Sequence, residues 1–400
     1  MPYKHGVYAS EIATSISPAA ASDSALPFVV GTSAQASDCV PRVVSSWDQY
    51  VTTFGYDTEH AAGFHEYSLD SFAYFWFKIM GRGRAIMCSV PAATTDNLID
   101  GINAIDSVYS RFGIVPTLLL CPFYNVVSAV RPVMISKAES FGGKWDCLAL
   151  LDAPSHVVQT TDATPVVVNA IADSSDLAAW KTFSSGHAAA FWPCAGLGDL
   201  RFDLSTVCAA VMARTDAQNG DYPYVSPSNK QAGIDGVYVN STVDAATETP
   251  VFMTEQEVND DMNAHGIVGA INSAAGWVIW GNNTTIYPTS TDVKDSQIPI
   301  RRMFSFVKNM FLQFCAGRVD LPLNKRQLDG IINSFNQQLQ GLKGMGAVNS
   351  ASVALADTNT SLSLLDGIVY IHILISPPPP MRVIEGIVEY DVTGFIESLA

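Results

Sequence analysis

The feature that most constrains this chain is an apolar run near its C-terminal end, Asp366-Gly-Ile-Val-Tyr-Ile-His-Ile-Leu-Ile-Ser376, which is followed directly by four prolines. Apolar and β-branched residues occupy both alternating sets of positions in the run. A strand with two apolar faces needs cover on both, which is typical of a central strand. Pro377 to Pro380 end it, because proline lacks a backbone N–H and favours an extended path. The sequence therefore predicts a strand at residues 367–375 in the middle of a sheet.

A second strand is predicted after the prolines, at residues 382–392. Apolar and acidic side chains fall on opposite faces of this stretch. The apolar face carries Ile384, Val388, Tyr390 and Val392. Four prolines do not form the tight turn of a hairpin, which would return this strand to residues 367–375. We therefore expect the last strand to be carried away from its neighbour and to pair elsewhere.

The rest of the chain predicts an α/β protein. Strand and helix signals alternate over about residues 26–215, as in a mainly parallel sheet. Two long amphipathic helices follow, one at residues 298–315 and one capped by Asn324. Near the N-terminus, a short extended element at residues 6–12 precedes a leader rich in Ser, Ala and Pro, which is too small and polar to form a domain.

The predicted fold class is α/β, in four parts. Residues 1–25 form an N-terminal extended arm, and residues 26–295 form a mainly parallel α/β domain. Residues 296–381 form an α+β C-terminal domain, and residues 382–400 form a C-terminal strand arm. At 400 residues the chain is long enough for each of the two domains to bury a core.

Composition narrows the function classes. Only 15 % of the residues are charged and 48 % are hydrophobic, which predicts surface that other chains bury. The formal net charge of −16 argues against nucleic-acid binding, which needs a basic face. We expect no transmembrane span, because no apolar stretch reaches about 18 residues. The N-terminus has no apolar signal-peptide core.

The reactive residues predict neither a catalytic site nor a cofactor or metal site. The seven cysteines form no Cys-x-x-Cys pair, and no phosphate loop, dinucleotide fingerprint or nucleophile elbow occurs. Cys121, Asp152 and His156 are the residue types of a Cys-His-Asp nucleophile site, and the first two end predicted parallel strands. Pro122 follows Cys121 directly and lacks the backbone N–H with which a helix N-terminus would lower the pKa of the thiol. We therefore do not expect a nucleophile site here, and we expect Asp152 to be a cap or turn residue. An α/β hydrolase-like enzyme is the alternative.

Several short motifs share their order with a known family. They are His5-Gly-Val-Tyr-x-x-Glu-Ile12, Leu119-Leu-Cys-Pro122, Ala149-Leu-Leu-Asp-Ala-Pro154, Ala213-Arg-Thr-Asp216, Tyr224-Val-Ser-Pro-Ser-Asn229 followed by Ala232-Gly233, and Trp280-Gly-Asn282. Two helices, a strand, a proline-rich joint and a last strand follow. Across essentially the whole chain, this series resembles the contractile-tail sheath proteins of bacteriophages and R-type tailocins. One motif departs from this order, since residues 213–216 precede residues 224–229 here, whereas some members of the family carry the motif after that segment.

The resemblance implies subunits that are linked by exchanged β-strands. The donor arms would be residues 6–12 and 382–392, and the acceptors would be strands 351–357 and 367–375. The donor side chains are Gly6, Val7, Tyr8 and Ile12, with Ile384, Val388, Tyr390 and Val392. The acceptor side chains are Val353, Leu355, Ile368, Tyr370, Ile371 and Ile373.

The resemblance also implies a place and partners. A helical homo-oligomer would surround an inner tail tube protein, with baseplate and tail terminator proteins at its ends and no nucleic acid or membrane partner. It would assemble in the host bacterial cytoplasm, form part of the virion tail, and contract to drive the tube through the cell envelope for genome ejection. The sheath of a bacterial injection particle is an alternative.

Small basic pairs in this acidic chain are expected to be solvated helix ends or contacts with an acidic partner. They are Arg301-Arg302 and Lys325-Arg326. By the resemblance, the helix at residues 324–343 faces the tube, with Lys325, Arg326 and Lys343 as the candidate contacts.

Overall fold

The structure is a computed structural model that describes residues 24–35, 37–57, 64–240 and 248–390. The predicted extended element at residues 6–12, with Gly6, Val7, Tyr8 and Ile12, lies outside the described residues, as does Val392. Across the described ranges, no helix combines the length and apolar character that crossing a bilayer requires.

Strands and helices alternate through the first two thirds of the chain. In chain order the strands are β1 (Pro27–Gly31), β2 (Arg42–Val44), β3 (Ala85–Ser89), β4 (Leu118–Leu120), β5 (Leu148–Asp152), β6 (Val158–Gln159), β7 (Val167–Val168), β8 (Ala188–Phe191), β9 (Cys194–Leu197), β10 (Leu200–Phe202), β11 (Gly236–Asn240), β12 (Glu248–Pro250), β13 (Ile267–Ser273), β14 (Gly276–Trp280), β15 (Ser350–Leu355) and β16 (Ile371–Ser376).

The helices are α1 (Trp47–Phe54), α2 (Ser68–Ala73), α3 (Thr95–Asn103), α4 (Val108–Phe112), α5 (Val130–Glu139), α6 (Leu177–Trp180), α7 (Leu204–Gln218), α8 (Glu255–Glu257), α9 (Val293–Ser296), α10 (Ile298–Ala316), α11 (Lys325–Gly344) and α12 (Ser361–Leu365). A π-helical turn, Tyr74–Ile79, extends α2, and a second one, Val258–Met262, extends α8.

The main sheet has eight strands in the order β14-β13-β8-β5-β4-β1-β3-β2. The pairs from β13 through β3 are parallel, whereas β14 and β2 pair antiparallel at the two edges. The predicted parallel α/β sheet is confirmed. A smaller antiparallel sheet, β10-β9-β11-β12, lies beside it in the same part of the chain.

Apolar side chains cover the main sheet on both faces, as continuous apolar strands require. On β1, Val29 belongs to one buried cluster, which also holds Phe72 of α2 and Leu204 of α7. The neighbouring Phe28 belongs to a second cluster, with Met134 of α5. These layers of helix, sheet and helix form the body of the protein.

The C-terminal part has a core of its own, built by α10, α11, β15 and β16. Its buried residues include Met303 and Phe306 of α10, Phe335 and Leu339 of α11, and Val353 of β15. Asn324 caps α11 as predicted, because its side chain accepts a hydrogen bond from the N–H of Gln327 at 3.0 Å. Helix α10 belongs to both parts, since its first residue, Ile298, is in the core of the body. We call α10, α11, α12, β15 and β16 the C-terminal lobe.

Gly101 allows α3 to approach the main sheet closely. A Cβ at this position would lie 2.6 Å from Val30 Cγ1 and 2.7 Å from Val90 Cγ1. We expect Gly101→Ala to lower the free energy of unfolding by about 1–3 kcal/mol through overpacking. Gly330→Ala is the matched control, because a Cβ there meets nothing within 4 Å and alanine favours the helix by about 1 kcal/mol. Urea unfolding measures the change in the free energy of unfolding of each variant. A Gly101→Ala chain that is stabilised, as Gly330→Ala is expected to be, would contradict this close packing.

Candidate assembly site at the C-terminal sheet

Strands β15 and β16 form a two-stranded antiparallel sheet, in which Val353 pairs with Ile373 and Leu355 with Ile371. Side chains alternate across it, so these four residues share one face. That face packs against the C-terminal lobe's core, in which Val353 is buried and Ile371 and Ile373 are half-buried.

The two outer edges of this sheet carry no third strand among the described residues. An exposed edge presents unpaired N–H and C=O groups, which are a template for pairing with another chain. The sheet also leaves Leu374 55 % exposed on its other face. A two-stranded sheet is marginal on its own, so added strands would complete it.

The predicted central position of residues 367–375 is therefore wrong within the single chain. Strand β16 alternates between half-buried and exposed side chains, because the core of the C-terminal lobe covers only one of its faces. The apolar pattern on both faces correctly indicates a need for cover, but the described residues of this chain do not supply it on the second face.

The predicted start of the strand is also wrong. Gly367 has a φ of +75° and turns the chain, and the N–H of Ile368 bonds to Ser363 O at 2.8 Å. The N–H of Tyr370 donates to Asn359 Oδ1 at 2.9 Å. Ser363 of α12 and Asn359 before it thus take up these two backbone N–H groups, so β16 begins at Ile371 and the acceptor candidates Ile368 and Tyr370 precede it.

Residues 377–390 leave the sheet without forming a helix or strand. The side chains of Ile384 and Val388 are 84 % and 98 % exposed, and Tyr390 is also largely exposed. The predicted strand over residues 382–392 is thus absent in residues 382–390, because no strand in the described part of the chain pairs with them. Arg382 contacts the body, with its guanidinium carbon 5.9 Å from the centre of the Tyr287 ring.

The three basic candidates for the tube contact all lie on α11 and are exposed, but they do not cluster. Lys325 and Arg326 begin the helix and Lys343 lies in its last turn, about 27 Å away at 1.5 Å per residue. Positive charge at a helix N-terminus opposes the helix dipole, so Lys325 and Arg326 do not stabilise α11.

The residues of the alternative enzyme do not form a nucleophile site. Asp152 accepts hydrogen bonds from the Ser205 N–H at 2.9 Å and from Asn125 Nδ2 at 2.8 Å, which confirms it as a cap. Burial raises the pKa of the Cys121 thiol well above its usual value. The ring of His156 stacks on Phe64 at 4.4 Å, and its Nδ1 has no hydrogen-bond partner. Among the described residues, no group of His, Cys, Asp and Glu side chains is arranged to hold a metal.

The buried imidazole of His156 contributes to the pH dependence of the body's stability. Burial lowers the pKa of His156 to about 4, whereas an unfolded chain protonates this side chain near pH 6.5. The unfolded state therefore binds more protons between these values, and stability falls as the pH drops through this window. Burial raises the pKa of Asp152 to about 6, which gives the opposite trend at that residue.

We expect His156→Phe to reduce the stability lost between pH 6.5 and pH 4 by up to about 3 kcal/mol, at 1.36 kcal/mol per pKa unit. Phenylalanine keeps the stacking on Phe64 but cannot take a proton. Urea unfolding at several pH values measures this, with His372→Phe on the exposed side of β16 as the control. An unchanged pH dependence in His156→Phe would show that this imidazole does not contribute.

The burial of Arg301 and Arg302 was not predicted from the sequence. Arg301 and Arg302 are not solvated, because 8 % and 4 % of their surfaces are exposed. Arg302 pairs with Asp216 of α7 at 2.5 Å, and Arg301 pairs with Asp295 at 3.1 Å. The sequence does carry one sign of this burial. Apolar residues surround the two arginines in α10, and a basic pair within an apolar helix stripe is buried together with the helix.

Neither a protein-family model nor a curated protein matches the sequence. Solved structures do match its fold. A chain of the baseplate of the anti-feeding prophage aligns with a TM-score of 0.70 at 19 % identity, over 98 % of this chain and 100 % of that one. The sheath complex of the extracellular contractile injection system PVC, in its contracted state, aligns at 0.69 and 16 %, over 98 % and 99 %.

A crystal structure of a sheath tail protein from Desulfitobacterium hafniense aligns less closely. Its TM-score is 0.56 at 8 % identity, over 93 % of this chain and 100 % of that one. All these matches extend over nearly the whole of both chains, so they include the C-terminal lobe as well as the body. The chain therefore has the fold of contractile sheath proteins.

Proposed function

We propose that the chain is a structural subunit of a contractile sheath, which polymerises helically with copies of itself. The observation that carries this proposal is the two-stranded β15–β16 sheet. Neither of its edges has a partner strand among the described residues, and the segment that leaves the sheet, residues 382–390, exposes apolar side chains. A monomer gains nothing from this arrangement, whereas a polymer in which neighbours add strands satisfies both features.

In this proposal each subunit donates two arms and accepts two. Residues 6–12 and 382–392 leave their own subunit and extend a neighbour's β15–β16 sheet to four strands. Val353, Leu355, Ile371 and Ile373 lie on the strands that accept them, and Ile368 and Tyr370 flank β16. Backbone ladders hold the subunits together while the bodies rotate, so the polymer shortens without separating.

Contraction would draw its energy from subunit interfaces with two stable packings. The sequence contains no nucleotide-binding motif that would supply this energy instead. We propose a structural protein and not an enzyme. The contracting polymer would drive an enclosed tube through the host cell envelope, ejecting the genome if the particle is a phage. Baseplate and tail terminator proteins would close its ends, and we propose no nucleic-acid or membrane partner.

The exposed face of α11 is the proposed contact with the tube. We expect the double variant Lys325→Glu/Arg326→Glu to weaken co-assembly with tubes at least tenfold, because it reverses two charges that do not stabilise their own helix. Co-sedimentation of subunits with preformed tubes measures this. Lys343→Glu tests whether the other end of α11 also takes part. Unchanged co-sedimentation of the double variant would remove Lys325 and Arg326 from the contact.

The particle to which the sheath belongs has two candidates. The phage tail places the protein in a virion that assembles in the host bacterial cytoplasm. A bacterial injection particle is favoured by one observation: chains of the anti-feeding prophage and of the injection system PVC align at TM-scores of 0.66 to 0.70, against 0.53 and 0.56 for the sheath tail proteins. Mass spectrometry of particles purified from the source bacterium separates the two, because a phage carries capsid proteins and DNA.

Negative-stain microscopy of the purified protein tests the proposed function. We expect long hollow polymers of uniform width. Uniform small particles at all concentrations, together with an activity that is lost on replacement of Cys121 and Asp152, would instead support the hydrolase-like enzyme.

A further inference from the structure

The N-terminal arm joins the body at Ser24, which is almost completely buried. Its Oγ donates to Asp216 Oδ2 at 2.8 Å and lies 3.0 Å from Asp221 Oδ1. Its carbonyl oxygen accepts from Thr117 Oγ1 at 2.9 Å and from Arg302 Nη2 at 3.3 Å. Polar side chains from distant parts of the sequence thus converge on one residue at the base of the arm.

Arg302 is the centre of this group. Its Nη1 and Nη2 donate to the two carboxylate oxygens of Asp216, at 3.2 Å and 2.5 Å. Such a bidentate pair fixes both partners in position and is stronger than a single neutral hydrogen bond. Asp216 lies in the last turns of α7, in the body, and Arg302 lies in the first turns of α10.

Helix α10 continues from Arg302 into the core of the C-terminal lobe. Met303 and Phe306, one and four residues after Arg302, are buried in the core against which β15 and β16 pack. A second set of bonds ties α10 to the body further along, where Lys308 pairs with Asp146 at 2.9 Å. The helix therefore contacts the arm base, the body and the lobe within a few turns.

We propose that Ser24, Asp216 and Arg302 form a junction that passes tension from the N-terminal arm into α10, and so to the β15–β16 sheet of the same subunit. The inference rests on the proposed role of residues 6–12 as a donated arm. The base of the donated arm and the sheet on which the subunit receives strands are then held at a fixed spacing. Arg302 and Ser24 act as positioning residues.

The physical reason lies in where a pull on the arm would act. Strand β1 begins three residues after Ser24 and lies between β4 and β3 in the main sheet. Without a fixed point before it, tension on the arm would load the hydrogen bonds of β1 and shear the sheet. The junction diverts that tension to two helices, through an ion pair that is shielded from water.

The test measures amide hydrogen exchange at the arm base in the monomer and the resistance of the polymer to guanidinium. Ser24→Ala removes the hydroxyl bonds and keeps the ion pair. Arg302→Met/Asp216→Leu removes both charges together, so no unpaired buried charge remains. Lys308→Met is the matched control, since it removes an ion pair of the same helix that does not reach Ser24. Hydrogen exchange by mass spectrometry is read over the amides of residues 24–26, and polymers are dissociated with guanidinium.

We expect exchange over residues 24–26 to accelerate at least fivefold in both junction variants and to stay unchanged in Lys308→Met. Polymers of the junction variants should dissociate at a lower guanidinium concentration. Unchanged exchange would overturn the junction, and faster exchange with equally resistant polymers would overturn its role in passing tension. If the wild-type chain forms no polymer, the proposed function and the tension role fail, while exchange in the monomer still decides whether the junction holds the arm base.

Discussion

Removal of residues 1–12 or of residues 382–400 is expected to leave a folded monomer that forms no polymer. The first core strand, β1, begins at Pro27, so the N-terminal deletion stops well short of it. The C-terminal deletion removes side chains such as Ile384 and Val388, which are almost fully exposed. Neither deletion removes described core residues, whereas each removes one proposed donated strand and with it one ladder per subunit contact.

Circular dichroism and thermal unfolding check that the deleted chains fold, and microscopy with sedimentation checks polymer formation. We expect unfolding midpoints within a few degrees of the full-length chain and a loss of polymer by at least a hundredfold. The matched control replaces residues 382–400 with a Gly/Ser sequence of equal length, which keeps the bulk but not the alternating apolar pattern. Normal helical sheaths from either deletion would contradict the exchange of arms.

The second large effect is expected from Arg302→Ala. This change leaves the Asp216 carboxylate buried without its cation, which costs about 3–5 kcal/mol in comparable buried pairs. The double variant Arg302→Met/Asp216→Leu should recover most of that loss, because burying two apolar side chains of similar size avoids an unpaired charge.

Guanidinium unfolding measures both variants against Arg42→Ala. Arg42 pairs with Asp38 at 2.5 Å, but the pair is partly exposed, so its loss should cost less than about 1 kcal/mol. An Arg302→Ala variant no less stable than Arg42→Ala would show that the buried pair contributes little. A double variant as unstable as Arg302→Ala would show that the loss comes from packing and not from charge.

Strands and helices were predicted well wherever an apolar pattern repeats along the sequence. Strands such as β1 and β5 carry continuous apolar runs, which indicate cover on both faces, and helices α10 and α11 carry regular apolar stripes. The cap at Asn324 was predictable because its donor, the Gln327 N–H, is three residues away. Periodicity and local bonds act over short stretches of sequence, so they can be recognised without the structure.

The features that sequence reasoning missed depend on distant residues. Arg302 and Asp216 are 86 positions apart, so nothing beside Arg302 indicates that a carboxylate will neutralise it in the core. The start of β16 depends on the turn at Gly367 and on Asn359, 11 residues before its partner Tyr370. The two apolar faces of residues 367–375 predicted a need for cover, but a pattern in one chain does not say which chain supplies it.

A cysteine scan of the C-terminal arm tests the exchange of strands most directly. One subunit carries Ala354→Cys on the exposed side of β15, and a second carries one added cysteine at one of the positions 384–390. In both, the partly exposed Cys39 and Cys315 are replaced by serine. The two are mixed, assembled and oxidised, and disulfide-linked dimers are counted on non-reducing gels against either subunit alone. A strand beside the acceptor sheet presents alternate side chains to it.

We predict that cross-linked dimers form only in assembled polymers, and that their yield alternates with a period of two residues along the arm. Cross-links that are absent at every position of the arm, or that form equally well at neighbouring positions, would contradict the account.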